Sequence, residues 1–255
     1  KLYLVSKRGR FIICGNIKQK MEISKYKDLM DNAMLHYNPE EEYKTAFGRV
    51  PLFRYDTLKC CIDHCVKYNL KTVVELGTSR SFVDGKWDGC NSDDTKYWEP
   101  NNPKMWDWSA GCFTRVLGEF IQDNDMELVS VEMSLNHVNR SKHMTSGLTK
   151  VSHFHMSSEI YLEQHKGKID FIYMDTGDVT PIESTAKLHL RESKLLIENN
   201  LMSDNGIILI DDVRNIQSKK QDVSEYGKAK YSIPYLQENG WKIIMDEYQV
   251  VLIRK

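Results

Sequence analysis

Four short apolar runs, each ending in an acidic residue or a glycine, constrain the fold of this chain more than any other feature. They are, in chain order, residues 72–77, 128–132, 169–175 and 206–212. Consecutive apolar positions are typical of strands buried on both faces, and therefore of a parallel sheet covered by helices. Helical patterns fill the intervals, at residues 113–122, 134–144 and 184–199. This alternation predicts a doubly wound α/β fold.

The C-terminal segment departs from the alternation. Two strand-like runs, 241–245 and 249–253, are separated by only three residues, so they predict an antiparallel hairpin at a sheet edge. A further strand is expected at 150–154. The prediction is therefore a mostly parallel, seven-stranded sheet that ends in this hairpin.

The first 55 residues are expected to form an extension to a domain at 56–255. A β-hairpin is predicted near the start of the chain, followed by a helix at 23–37 that ends before Pro39, because the residue before proline avoids the α region. A second helix is expected at 56–68 with Asp56 as its N-cap. Since an exposed hairpin edge invites pairing, we expect a homodimer.

Composition excludes several classes of protein. Lys plus Arg number 35 against 36 Asp plus Glu, a net charge of −1, so no large field attracts nucleic acid or an anionic membrane. No apolar run approaches the ~20 residues that span a bilayer, and the opening one is too short for a signal peptide. The six cysteines include no C-x-x-C pair and are expected to be reduced, which fits a cytoplasmic protein.

The first two strand ends suggest an adenosine-containing cofactor. Gly77 follows the first strand in Glu75-Leu76-Gly77-Thr78-Ser79, where a residue without Cβ lets a ligand approach the backbone. Glu132 ends the second strand and can accept hydrogen bonds from ribose hydroxyls. A nicotinamide dehydrogenase is disfavoured because G-x-G-x-x-G is absent.

Together with Asp175 and the closing hairpin, these residues resemble a class I S-adenosylmethionine-dependent methyltransferase over residues 56–255, with its Rossmann-like sheet. The resemblance implies that the loop after the third strand lies against the adenine. The implied cofactor-binding residues are Glu75, Gly77, Thr78, Ser79, Phe82, Glu132, Met156, Ser157 and Ser158. His153 and His155 have the spacing of a two-histidine metal ligand, but ordinary packing is the expected role.

Three aspartates follow two of the predicted strands. Asp175 ends one strand, and Asp211 and Asp212 end the next. Adjacent strands lie ~4.8 Å apart, so the carboxylates are expected to meet and, if unpaired, to raise one another's pKa. All-oxygen ligands favour Mg²⁺ or Mn²⁺. Both Asp211 and Asp212 can face such an ion only if the chain leaves strand geometry at residue 211. The alternative is that Asp212 caps a turn and Asp211 is a solvated strand end.

The order Asp175…Asp211-Asp212 resembles the metal-assisted O-methyltransferases that act on sugars of macrolide or aminocoumarin antibiotics. That resemblance implies a divalent cation, Mg²⁺ or Mn²⁺, a vicinal diol of a sugar as the acceptor, and Asp175 as metal ligand. A metal lowers the pKa of a bound hydroxyl, and Asp175 can also accept its proton as general base.

Two further segments are candidates for acceptor binding. Residues 84–112 contain four of the five tryptophans and are interpreted either as an aromatic lid, with Trp106 and Trp108 stacking on a sugar, or as a small satellite core. In the basic loop, the residues expected to hold the phosphates or sugar of a nucleotide sugar are Arg214, Lys228, Lys230 and Tyr231. A solvated basic surface is the alternative.

Residues 227–236 and 175–178 are also similar to methyltransferases of bacterial capsule and surface-polysaccharide pathways, which raises a phosphoryl or phosphoramidate acceptor. The sequence therefore favours a metal-assisted sugar O-methyltransferase. The alternatives left open are a metal-independent methyltransferase of a phosphoryl or other small-molecule acceptor, and a non-catalytic subunit that binds an adenosine cofactor.

Overall fold

The computed structural model describes residues 23–50, 52–78, 94–106, 112–216, 219 and 226–254. The predicted N-terminal hairpin, much of the aromatic insertion, and the candidate residues Ser79, Phe82 and Trp108 lie outside these ranges.

A seven-stranded sheet forms the centre of the fold. Its strands are β1 (Thr72–Leu76), β2 (Glu127–Glu132), β3 (Val151–His155), β4 (Ile169–Met174), β5 (Met202–Ile210), β6 (Trp241–Asp246) and β7 (Val250–Arg254). Their order is β3-β2-β1-β4-β5-β7-β6. Strands β1 to β5 pair in parallel, whereas β7 is antiparallel to both β5 and β6. The predicted doubly wound sheet with a terminal hairpin is confirmed.

Helices cover both faces of this sheet. They are α1 (Lys27–Tyr37), α2 (Glu40–Phe47), α3 (Arg54–Tyr68), α4 (Cys112–Asp123), α5 (Leu135–Met144), α6 (Ser158–Gln164), α7 (Ile182–Glu198) and α8 (Ser232–Glu238). The helix α2 was not predicted. Helix α3 begins two residues earlier than expected, with Phe53 at the N-cap position, so the prediction of Asp56 as N-cap is wrong.

The core explains why the strand sequences are apolar at consecutive positions. Val73 on one face of β1 packs with helices α3 and α4, and Val74 on the other face packs with residues of α7 and α8. Both are fully buried. The N-terminal segment belongs to the first of these layers, because Ile23 and Met30 are buried in the same cluster as Val73. The division of the chain at residue 55 stays a prediction.

Cys60, Cys61 and Cys65 are free thiols on α3. Burial raises the pKa of Cys61, and that of Cys65 to about 12, so both pack as neutral apolar groups. In the ranges that the structure describes, no helix combines the length and apolar character needed to cross a membrane.

Candidate active site

A cavity of about 420 Å³ opens at the carboxyl ends of the parallel strands. It lies where the strand order reverses, between β1 and β4, which is where open α/β sheets bind ligands. Its size is within the range of small-molecule sites. The wall comprises Arg54, Gly77, Thr78, Val131, Glu132, Met133, Ser134, His137, Met156, Ser157, Ser158, Glu159, Asp175, Thr176, Gly177, Asp178, Leu188 and Asp212.

Gly77 turns the chain away from β1 at this reversal. Its φ is +81°, and a Cβ at this position would lie 2.6 Å from the backbone oxygen of Asp175. The approach of a ligand, for which the sequence predicts glycine here, stays a prediction, and Gly77 does line the cavity. The structure adds a reason of its own, because the backbone at the end of the neighbouring strand also approaches this position.

Glu132 is oriented by two backbone amides at the cavity wall. Thr78 N–H donates to Oε2 at 3.2 Å, and Ser134 N–H donates to Oε1 at 2.7 Å. A carboxylate has about four acceptor positions, so Glu132 retains acceptor capacity for the hydroxyls of a ribose. This position fits the cofactor contact that the sequence predicts.

The loop after β3 forms the cavity wall beside Glu132, because Met156 N–H donates to the backbone oxygen of Glu132 at 3.1 Å. Met156, Ser157 and Ser158 all line the cavity, as expected for the adenine side of a cofactor site. Ser157 is the N-cap of α6, accepting from Ile160 N–H. The Ser158 hydroxyl donates to Glu192, which is fully buried on α7. Burial raises the pKa of Glu192 to about 7.

Glu75 does not reach the cavity wall. It lies within β1, fully buried, and its Oε2 accepts hydrogen bonds from Thr114 at 2.7 Å and from Ser130 at 2.5 Å. Direct contact with a cofactor is therefore a wrong prediction for Glu75, because its carboxylate is directed towards α4 and β2. Of the two candidate metal histidines, His153 is half-buried and contacts Ser141, whereas His155 is exposed and contacts the backbone oxygen of Met133.

Asp175, Asp211 and Asp212, hereafter the acidic cluster, meet as the strand pairing predicts. Met174 at the end of β4 is in register with Ile210 at the end of β5, and one carboxylate oxygen of each aspartate lies within 4.8 Å of the others. Asp212 has φ +53°, so the chain leaves strand geometry after residue 211, which was the condition for convergence.

Asp211 is fully buried, which contradicts the alternative of a solvated strand end. Arg54 donates to it through Nε at 3.1 Å and through a terminal nitrogen at 2.5 Å. The Tyr173 hydroxyl donates to Oδ2 at 2.9 Å, and the Gln249 amide donates to Oδ1 at 2.9 Å. These donors neutralise and fix the buried carboxylate.

Lys228 connects the other two aspartates. Its Nζ lies 2.9 Å from Asp175 Oδ1 and 3.1 Å from Asp212 Oδ2, and the side chain is only 1% exposed. Asp212 Oδ1 accepts from the Tyr248 hydroxyl, at the turn of the β6–β7 hairpin. The acidic cluster is thus enclosed by cations and hydroxyls of the protein.

The two cluster aspartates that line the cavity differ electrostatically. Burial and then the negative charge of Asp211 raise the pKa of Asp175 well above its usual value, against the opposing effect of Lys228. Burial also opposes ionisation of Asp212, but Lys228 and Arg54 hold the pKa of that carboxyl below its usual range. Asp175 is therefore the stronger base of the two.

The acidic cluster does not fit a divalent cation in this arrangement. The residues have the right chemistry for Mg²⁺ or Mn²⁺, which prefer carboxylate oxygens. However, the ammonium of Lys228 already bridges Asp175 and Asp212, and the guanidinium of Arg54 holds Asp211. A bound cation would have to displace these groups or lie against their like charge.

The predicted acceptor residues lie elsewhere. Trp106 is 1% exposed, stacks on Tyr26 and donates through its indole N–H to the backbone of Glu99. Because it has no free face, its predicted contact with a sugar is wrong. It packs in the main core cluster with Val73 rather than in a small satellite core. Trp98 also packs against the core rather than over the cavity.

The basic residues are paired within the protein. Arg214 donates three hydrogen bonds to Asp246, at 2.7, 2.8 and 3.1 Å, away from the cavity. Lys230 and Tyr231 both donate to Glu183 on α7, at 3.1 and 2.9 Å. Lys228 is neither on a solvated surface nor directed to the cavity, so a phosphate contact is contradicted by its burial in the acidic cluster.

Sequence reasoning missed several residues of the site. Arg54 was assigned to the N-terminal extension, and no local signal connects it with Asp211, which is 157 positions away. Tyr248 sits in the three-residue turn that the sequence marked only as a hairpin connection. Ser134, by contrast, was detectable, since it is the N-cap of α5 and lies two residues after Glu132, at which β2 ends.

Comparisons with known proteins support the fold. No known family model matches the sequence, and no curated protein resembles it significantly. The structure is similar to the SAH-bound methyltransferase PaMTH1 of Podospora anserina, with TM-score 0.51 and 16% identity over 95% of this chain and 97% of that one. TrmN of Thermus thermophilus matches with TM-score 0.47 and 9% identity over 85% and 53% of the two chains. The N-methyltransferase NodS of Bradyrhizobium japonicum matches with TM-score 0.43 and 12% identity over 76% and 93%.

The PaMTH1 likeness carries the conclusion, since it spans nearly the whole of both chains. The chain has the Rossmann-like fold of the class I S-adenosylmethionine-dependent methyltransferases.

Proposed function

We propose that this protein is an S-adenosylmethionine-dependent O-methyltransferase that acts on a hydroxyl of a small molecule, with a sugar or nucleotide sugar as the acceptor class. The cavity supports the cofactor, because Gly77, Glu132 and Met156 line it together at the ends of three neighbouring strands. When bound, the cofactor supplies an electrophilic methyl group on a cationic sulfur.

The observation that carries the proposal is the hydrogen bonding of Asp175. Its Oδ1 is held by Lys228, whereas Oδ2 is contacted, among the described residues, by the Tyr173 hydroxyl at 3.4 Å. Tyr173 has a single proton and lies closer to Asp211, at 2.9 Å. Asp175 Oδ2 therefore keeps acceptor capacity at the cavity wall, and its raised pKa makes it a suitable general base for a hydroxyl.

The charge at the site favours a hydroxyl over a phosphoryl acceptor. The three carboxylates of the acidic cluster outnumber the two cations that contact them, Arg54 and Lys228, so the cluster carries no excess positive charge. Such a site favours a cationic sulfonium and offers no positive charge to a phosphoryl group. The sugar class rests on the resemblance of the order Asp175…Asp211-Asp212 to sugar methyltransferases, and the metal expected from that resemblance is not part of the proposal.

The test is transfer of a labelled methyl group from S-adenosylmethionine to a panel of nucleotide sugars, with and without EDTA. We expect labelled product in both conditions and a loss of about 10²–10⁴-fold in kcat for Asp175→Asn. Asp204→Asn, at an exposed position in β5, is the control. No transfer to any hydroxyl acceptor, or full activity of Asp175→Asn, would contradict the proposal. Tight cofactor binding without transfer would indicate the non-catalytic subunit instead.

Assembly and location remain proposals. The homodimer was inferred from the N-terminal hairpin, which lies outside the described residues, and gel filtration of a chain without residues 1–20 tests it. The cytoplasmic location rests on the expectation of reduced cysteines, with which the free thiols of α3 agree.

A further inference from the structure

We propose that Lys228 takes the place of a divalent cation in the acidic cluster, and that the cluster becomes a cation site only when this lysine is removed. The inference rests on the proposed function and deepens it. The order Asp175…Asp211-Asp212 resembles that of metal-assisted enzymes, yet in this chain the carboxylates already contact cations of the protein.

The hydrogen bonds of Lys228 are complete. An ammonium has three N–H donors, and three acceptors surround Nζ: Asp175 Oδ1 at 2.9 Å, Asp212 Oδ2 at 3.1 Å and the backbone oxygen of Gly177 at 3.1 Å. Two of these acceptors are carboxylate oxygens of the acidic cluster. A Mg²⁺ ion bound through the same oxygens would need them at about 2.1 Å, which would place it against the positive charge of Lys228.

The backbone holds Lys228 in this position. It lies in the middle of the short 3₁₀ helix Gly227–Ala229, which packs against α7. Its neighbour Ala229 is fully buried in the core cluster beside β4 and β5. The Lys228 side chain is itself only 1% exposed, so its ammonium lies inside the protein, in contact with the carboxylates.

Arg54 completes the neutralisation from the other side. It binds Asp211 and reaches Asp212 at 3.4 Å, so each aspartate of the acidic cluster contacts at least one protein cation. If only Lys228 is removed, Asp175 and Asp212 retain their oxygens at the cavity wall and lose their shared positive partner. A divalent cation then restores the lost charge.

The test is titration of the full chain with Mn²⁺, followed by the electron paramagnetic resonance signal of the free ion. We compare the unaltered protein with Lys228→Met, which keeps the apolar stem and removes the charge. Lys187→Met is the matched control, because Lys187 is exposed and pairs with Glu183 on the same helix. We expect one Mn²⁺ per chain in Lys228→Met. The unaltered protein and the control should show no saturable site at Mn²⁺ concentrations up to about ten times the Kd of that variant.

Adding Asp212→Asn to Lys228→Met should abolish that site. Binding of one Mn²⁺ by the unaltered protein that Asp212→Asn removes would overturn the inference, as would a folded Lys228→Met chain that binds no Mn²⁺. If Lys228→Met does not fold, the unaltered protein decides: the absence of a saturable site supports the inference. Because the readout is cation binding, the experiment tests the inference whether or not the protein transfers methyl groups. Failure of the inference and failure of the proposed function can therefore be told apart.

Discussion

Gly77 is required for two reasons that can be separated by mutation. Alanine at this position would be strained by the φ of +81°, and its Cβ would meet the Asp175 backbone at 2.6 Å. Gly48 has a similar φ of +73° with no atom within 4 Å of a Cβ position. We expect Gly48→Ala to cost about 1 kcal/mol of unfolding free energy and Gly77→Ala about 2 kcal/mol more. Urea unfolding measures both, and equal losses would contradict the packing argument.

Glu192 makes stability depend on pH. Its pKa is raised from 4.5 to about 7 by burial, so between these values the folded state binds a proton that the unfolded state has released. Stability therefore falls as pH rises through this window, by at most about 3 kcal/mol. Glu192→Gln should remove this loss and be more stable than the unaltered protein at pH 8, with little difference at pH 4.

The measurement is urea unfolding at several pH values. Glu198→Gln, an exposed change on the same helix, is the control and should leave the pH profile as it was. A profile for Glu192→Gln that still falls between pH 4.5 and 7 by the same amount would show that another group is responsible.

At the scale of elements, α3 is tied to the end of β5 by Arg54. This residue opens the helix and compensates Asp211, which is fully buried. Arg54→Met should lower the free energy of unfolding by about 3–5 kcal/mol, because it leaves a buried charge without its partner. Arg49→Met, which breaks an exposed pair with Glu247, should cost at most about 1 kcal/mol.

Thermal or urea unfolding of both variants checks this prediction. Asp211→Asn in the Arg54→Met background should recover part of the loss, since it removes the uncompensated charge. If Arg54→Met and Arg49→Met are equally mild, the contact between α3 and β5 contributes little to stability.

The N-terminal elements also support the loop after β5. Tyr43 of α2 donates a hydrogen bond to the backbone oxygen of Arg214, and it packs with Phe53 and Tyr248 in a small apolar cluster. Tyr248 in turn contacts Asp212. A segment treated as an extension in the sequence analysis therefore helps to position a residue of the acidic cluster.

For the molecule as a whole, the proposed function predicts which cofactor stabilises the folded state. A ligand that binds only the folded state at 100 times its Kd adds about 2.7 kcal/mol, equivalent to roughly 5–10 °C in Tm for a chain of this size. S-adenosylmethionine should give such a shift in a thermal unfolding experiment, and NAD should not. The opposite result would favour the dehydrogenase alternative over the methyltransferase.

The order of strands and helices could be predicted from local sequence, because burial on both faces of a parallel strand leaves a continuous apolar run. The convergence of Asp175, Asp211 and Asp212 followed from the same order, since the ends of neighbouring strands meet at one edge. The partners of those carboxylates did not follow. Arg54 and Lys228 come from distant segments, and no local sequence pattern predicts which cation a buried carboxylate will contact.

Sequence by itself determined the sheet, its closing hairpin and the sheet edge at which the three aspartates of the acidic cluster meet. These features depend on patterns within a few residues. Tertiary structure alone decided that Trp106 is core and that Lys228 is enclosed by aspartates. Both residue types are compatible with surface and interior positions, and the free energy that selects between them comes from packing and charge contacts formed only when the chain has folded.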